Sequence, residues 1–187
     1  MTSEMFTPAN LLTLSRMALV PVFALCMLYG HPGWGLITFV VAGLTDLLDG
    51  LIARWTQQQT TLGAWLDPMA DKLLLLTAFV ILTLPGFGLT YRLPVWLTVL
   101  VISRDVGIVL TVAVVNLAVA PRTFTPSPLG KLATATFLVT GFATLYANYR
   151  PIPQSVLDVL IYASAVIVLL SAADYFRRIM RAAPTGG

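Results

Sequence analysis

Charge is scarce in this chain. Of its 187 residues only 10% are charged, against roughly 25% in an ordinary soluble domain. With 58% hydrophobic residues and a mean hydropathy of +0.87, a freely soluble globule is excluded, and the length suits one domain over 1–187. Cysteine is nearly missing as well. The single Cys26 excludes an internal disulfide, and nothing marks the chain as secreted. The one histidine, His31, lies in a turn beside Pro32. A signal peptide is not expected, because no basic stretch precedes the first apolar segment and no small-x-small site follows it. Leu25 before Cys26 also spoils a lipoprotein reading. No internal repeat is visible, which disfavours an inverted-repeat transporter. Nothing suggests nucleic-acid binding.

What the chain has in quantity is continuous apolar sequence. Six segments, 11–29, 34–53, 64–84, 93–119, 132–149 and 156–176, are each long enough at 1.5 Å per residue to cross a hydrocarbon core of roughly 30 Å. Continuous rather than alternating runs predict helices, not barrel strands. The expected fold is therefore all-α, a polytopic integral membrane protein with six transmembrane helices. Placing both termini on one side gives that side Arg54, Arg122, Lys131, Arg177, Arg178 and Arg181, and leaves Arg92 and Arg150 on the other. Basic residues accumulate on the cytoplasmic side, so both termini are predicted to be cytoplasmic.

The acidic residues are distributed unevenly. Four of eight fall between Asp46 and Asp71, in apolar surroundings where a carboxylate needs a partner or a task. Asp46, Asp49 and Ala53 are spaced i, i+3, i+7, and Asp67 and Asp71 are spaced i, i+4, so each set shares a helix face. An antiparallel hairpin centred near Gln58 brings Asp49 level with Asp67 and Asp46 level with Asp71. Gly50, Ala53, Gly63 and Ala70 are small and permit close approach. Four carboxylates this close raise one another's pKa. Hard divalent cations such as Mg²⁺, Mn²⁺ or Ca²⁺ relieve the conflict, and two of them balance four aspartates. Such a pair suits displacement at a pyrophosphate, with a free carboxylate to take a hydroxyl proton. A cation-transport pathway is the competing reading. It predicts acidic residues spread through the membrane depth, whereas these occupy one layer.

The run Asp46-x2-Asp49-Gly50-x2-Ala53-Arg54-x8-Gly63-x3-Asp67-x3-Asp71 resembles, at every fixed position, the signature of the CDP-alcohol phosphatidyltransferases. Members of that family displace CMP from a CDP-linked donor and pass the phosphate-bearing moiety to a hydroxyl. The resemblance implies a two-metal site, Mg²⁺ or Mn²⁺, on Asp46, Asp49, Asp67 and Asp71, with Asp71 also the general base. It implies a cytidine and pyrophosphate pocket at Asp49, Gly50, Ala53, Arg54 and Gly63, and it makes a homodimer a reasonable expectation.

The acceptor must be read elsewhere. Arg104 lies deep in the fourth segment, and Lys131 and Arg122 stand at the cytoplasmic start of the fifth; together they are expected to form an anion pocket facing the metals. A purely structural Arg104–Asp105 pair is disfavoured, since neighbours on a helix point about 100° apart. Asn10-x2-Thr13-x-Ser15-Arg16 with Pro21 is similar to the branch that makes phosphatidylglycerophosphate and cardiolipin. Ile102-Ser103-Arg104-Asp105 resembles the CDP-diacylglycerol-dependent cardiolipin synthases, while Gly130-Lys131 with Thr134 is a pattern shared with phosphatidylglycerophosphate synthases. The expected reaction joins CDP-diacylglycerol to phosphatidylglycerol, or alternatively to glycerol 3-phosphate. It takes place in a bacterial or mitochondrial inner membrane, with the site facing the cytoplasm or matrix.

Overall fold

The computed structural model describes residues 8–56, 61–118 and 127–182, with side chains described for 14–45, 72–110 and 127–178. Among these residues the chain is all-helical: α1 Pro8–Leu28, α2 Pro32–Thr56, α3 Thr61–Thr83, α4 Val95–Ala118, α5 Pro128–Tyr149 and α6 Gln154–Ala182. The six helices coincide with the six apolar segments. The largest difference at a helix start is α5, which begins four residues before the apolar run. Pro128 occupies the first helical position, where its missing N–H costs nothing, and Ser127 caps it by accepting the Gly130 N–H at 2.9 Å.

Local chemistry sets the other ends. Gly30 adopts φ +74° and closes α1 in a Schellman arrangement. Its N–H bonds the Met27 carbonyl at 3.1 Å, and the His31 N–H bonds the Cys26 carbonyl at 2.9 Å. The His31 carbonyl then accepts from Gly35 at 3.1 Å and starts α2. His31 thus serves the turn through its backbone. After α3, Gly86 and Gly88 take φ +112° and +63°, conformations that suit glycine.

By contact the chain divides into two compact units, Met1–Arg92 with Gly141–Ile152, and Leu93–Thr140 with Pro153–Gly187. In the first, α1 packs against both α2 and α3. The Phe23 and Phe39 rings meet at 6.2 Å, and a methyl group on Gly35 would lie 2.5 Å from Met27 Sδ, so α1 and α2 approach closely at that glycine. A methyl on Gly141 of α5 would meet Phe39 and Phe79 at 3.6 Å each. Asn148 ties the α3–α4 connection to this unit, accepting from the Tyr91 N–H at 3.1 Å and donating to the Tyr91 carbonyl at 2.8 Å.

In the second unit, α4 packs against α6, and the Trp96 and Tyr162 rings stack at 6.2 Å. The first half of α5 joins them through a buried hydroxyl pair, Thr140 and Ser164 at 2.8 Å. Other buried hydroxyls turn back on their own helices, Thr38 to the Trp34 carbonyl at 2.8 Å and Thr83 to the Phe79 carbonyl at 2.7 Å. Back-bonding of this kind satisfies a hydroxyl without water, as apolar surroundings require.

The outer faces are apolar. On α6, Val159, Tyr162, Val166 and Leu169 are all more than half exposed, and their spacing makes one continuous stripe. Among the described residues, two helices, Pro128–Tyr149 and Gln154–Arg178, are long and apolar enough to cross a membrane, and both are mostly unburied. Exposed apolar stripes of this extent are unusual on a water-soluble monomer.

Candidate active site

The aspartate positions continue stripes that are buried where side chains are described. On α2 the stripe is Gly35, Phe39 and Ala42, the last fully buried; steps of three and four carry it to Asp46, Asp49 and Ala53. On α3, Leu82, Ala78 and Leu75 are buried, and the same steps run back to Asp71 and Asp67. Phe39 and Phe79 converge on Gly141, so they stand at one level of their two helices. From that level Asp46 lies seven residues along α2 and Asp71 eight residues back along α3, about two turns each. Both helices are unbroken between those points. The side chains of Asp46, Asp49, Arg54, Asp67 and Asp71, with Gly50, Ala53 and Gly63, lie outside the described residues; only their helical positions are stated. Among the described residues no cluster of three or more potential metal ligands occurs, and the four aspartates are not in that set.

The second unit holds a basic site at the start of α5. Arg104, near the middle of α4, has a side chain only 10% exposed. Its Nη1 donates to Asp105 Oδ1 at 2.6 Å and its Nη2 to Ser171 Oγ of α6 at 2.9 Å. The Arg104–Asp105 pair that the sequence disfavoured therefore does form. Adjacent Cβ atoms do diverge, but the long arginine stem folds its guanidinium back across the helix, and that head can address two partners at once. Arg104 Nε is buried and has no partner among the described residues. Nη2 also lies against the first turn of α5, since a methyl on Gly130 would come within 3.2 Å of it.

Three positive features coincide at this place: the Arg104 head, the positive end of the α5 dipole, and Lys131, exposed and adjacent to Gly130. Arg104 and Lys131 thus meet at one helix end. Arg122 lies outside the described residues. Ser171 went unnoticed in the sequence reading, although a signal existed. Ser164 and Ser171 are small polar residues seven apart in an apolar helix, hence on one face, and both are buried.

The model of the CDP-alcohol phosphatidyltransferase family matches residues 6–175, and the chain belongs to that family. A probable phosphatidylglycerophosphate synthase of Mycobacterium tuberculosis is 35% identical over 181 residues, covering 92% of this chain and 81% of the relative. A cardiolipin synthase (CMP-forming) of Rattus norvegicus is 36% identical over 169 residues, 90% of this chain and 50% of the relative. One from Streptomyces coelicolor is 36% identical over 145 residues, covering 71% and 62%. The chain therefore spans half the length of the rat protein. The protein is a CDP-alcohol phosphatidyltransferase, an enzyme of phospholipid synthesis.

Proposed function

We propose that the enzyme transfers the phosphatidyl group of CDP-diacylglycerol to a glycerol hydroxyl of phosphatidylglycerol, releasing CMP and forming cardiolipin. The observation that carries the acceptor reading is Arg104 at the head of α5. A buried guanidinium with a spare Nε donor, a helix N-terminus and an exposed lysine fit one phosphate on the acceptor. Glycerol 3-phosphate presents the same groups, so phosphatidylglycerophosphate synthesis is the second reading. The mycobacterial relative, matched over most of its own length, favours it.

The donor set on α2 and α3 is four carboxylates, all hard oxygen ligands, and it fits two divalent cations such as Mg²⁺ or Mn²⁺. Asp46, Asp49, Asp67 and Asp71 would hold them. When bound, such a pair offsets the charge of the donor's pyrophosphate and of the departing CMP. The protein's own residues do the rest. Gly50, Ala53 and Gly63 leave room for the cytidine, and Arg54 donates to the diphosphate. Asp71 takes the proton from the acceptor hydroxyl as its oxygen attacks phosphorus. Arg104 and Lys131 hold the acceptor's phosphate. We take the chain as one domain whose six helices span a bacterial-type or mitochondrial inner membrane, with both termini and the aspartates on the cytoplasmic or matrix side. The exposed apolar stripes and the bias of basic residues support this topology. A homodimer is compatible with it.

Offered phosphatidylglycerol and glycerol 3-phosphate together, with labelled CDP-diacylglycerol and Mn²⁺, the purified enzyme is expected to make mainly cardiolipin. Phosphatidylglycerophosphate as the dominant product would establish the second reading instead.

A further inference from the structure

One strongly buried charge plays no part in the scheme above. Arg16 is the only charged residue of α1 and is 1% exposed. Arginine stays ionised in proteins, and a buried guanidinium requires an anion close by.

The described contacts fix the level on α2 that faces Arg16. Met27 meets Gly35, and Phe23 meets Phe39; as the residue number falls on α1 it rises on α2, so the two helices run antiparallel. From Phe23 to Arg16 is seven residues back along α1. From Phe39 to Asp46 is seven residues on along α2. Two antiparallel helices in contact step together, and seven residues return each to nearly the same face after two turns. Both helices are continuous over these intervals. The level of Arg16 on α1 is thus the level of Asp46 on α2. Within the first unit the acidic residues are Glu4, ahead of α1, and the four aspartates. On α3, Lys72 next to Asp71 is exposed and leaves Arg16 as the buried cation of this unit among the described side chains.

We propose that Arg16 is a positioning residue of the acidic layer, its guanidinium bonded to Asp46 and fixing that carboxylate in the orientation a divalent cation needs. This rests on the metal-site reading above. A guanidinium fork can hold a carboxylate while leaving lone pairs free for a cation. Partners that orient a ligand in this way are typically worth about 10- to 100-fold in metal affinity.

The test uses the full-length protein in detergent and two readouts other than turnover. Mn²⁺ affinity, measured by titration calorimetry, is expected to fall about 10- to 100-fold in Arg16→Met and less in Arg16→Lys, which keeps the charge but loses the fork. Thermal unfolding without metal closes a cycle of Arg16→Met, Asp46→Asn and the double variant. The double variant, in which both charges are gone, is expected to lose less than the two single losses combined. If Arg16→Met alone does not fold, the double variant is expected to regain folding. Unchanged Mn²⁺ affinity in a folded Arg16→Met protein, strict additivity in the cycle, or no recovery in the double variant each overturns the assignment. Normal Mn²⁺ binding by Asp46→Asn would instead strike at the metal-site reading, while the cycle on metal-free protein still reports on the pair.

Discussion

Asp71→Asn is expected to lose about 10²- to 10⁴-fold in kcat, the usual contribution of a positioned general base, while CDP-diacylglycerol still binds. Asparagine matches aspartate in size and retains one oxygen that can face a cation, so the pocket keeps its shape. What it lacks is a site basic enough to accept a proton. The acceptor hydroxyl must lose its proton as it attacks, and its own acidity is far too weak to release it to water at neutral pH. Asp71 suits this task by its position on α3, which continues the buried stripe of Leu75, Ala78 and Leu82. Donor binding is measured separately by equilibrium dialysis of labelled CDP-diacylglycerol in mixed micelles. If donor affinity falls as steeply as the rate, Asp71 is chiefly a ligand that builds the site, and the proton goes elsewhere.

The next largest effect is expected at Arg104. Arg104→Met removes a charge-assisted contact to the acceptor's phosphate, worth about 1.5–3 kcal/mol, or roughly 10- to 150-fold in kcat/KM for the acceptor. On the proposed reading this guanidinium acts on the acceptor and not on CDP, so the donor's KM is expected to stay within about twofold of the wild type. Arg104→Lys should recover only part of the loss. An ammonium cannot match the planar head, whose Nη2 and Nη1 engage Ser171 and Asp105 at once. Lys131→Met should have a smaller effect in the same direction, since that side chain is exposed and its charge is screened by water. Steady-state kinetics with each substrate varied in turn checks this. A parallel rise in both KM values would place Arg104 in the scaffold rather than at the acceptor.

The helices were legible in the sequence because each is an unbroken apolar run, and the turns between them because glycine and proline stand where the chain reverses. Gly30 and Gly86 take positive φ at two of these reversals. The start of α5 was harder to see. Pro128 reads as loop in a proline-rich stretch, and its helical role appears only with Ser127 beneath it. The aspartate positions on α2 and α3 share a face by spacing alone, since i+3 and i+4 fix a face without any tertiary information. Their pairing across two helices needs a register, and the meeting of Phe39 and Phe79 at Gly141 supplies one compatible with the hairpin count.

Arg104 illustrates the limit of arguments from Cβ direction. Its head lies several bonds from the backbone, and reach overrode the 100° between neighbours. The weight of Arg16 was invisible for a related reason. One charge near the start of an apolar helix resembles an interfacial anchor until its burial is known.

The central claim is that one enzyme couples the aspartate layer on α2 and α3 to a phosphate-bearing acceptor, with CMP as the leaving group. Acceptor-dependent CMP release from labelled CDP-diacylglycerol by the purified wild-type protein measures this directly. The account predicts CMP release when Mn²⁺ and a glycerol-bearing acceptor are both present. Chelation by EDTA should stop it, and restoring Mn²⁺ should return it. No CMP with either phosphatidylglycerol or glycerol 3-phosphate, or release unaffected by chelation, would contradict the account.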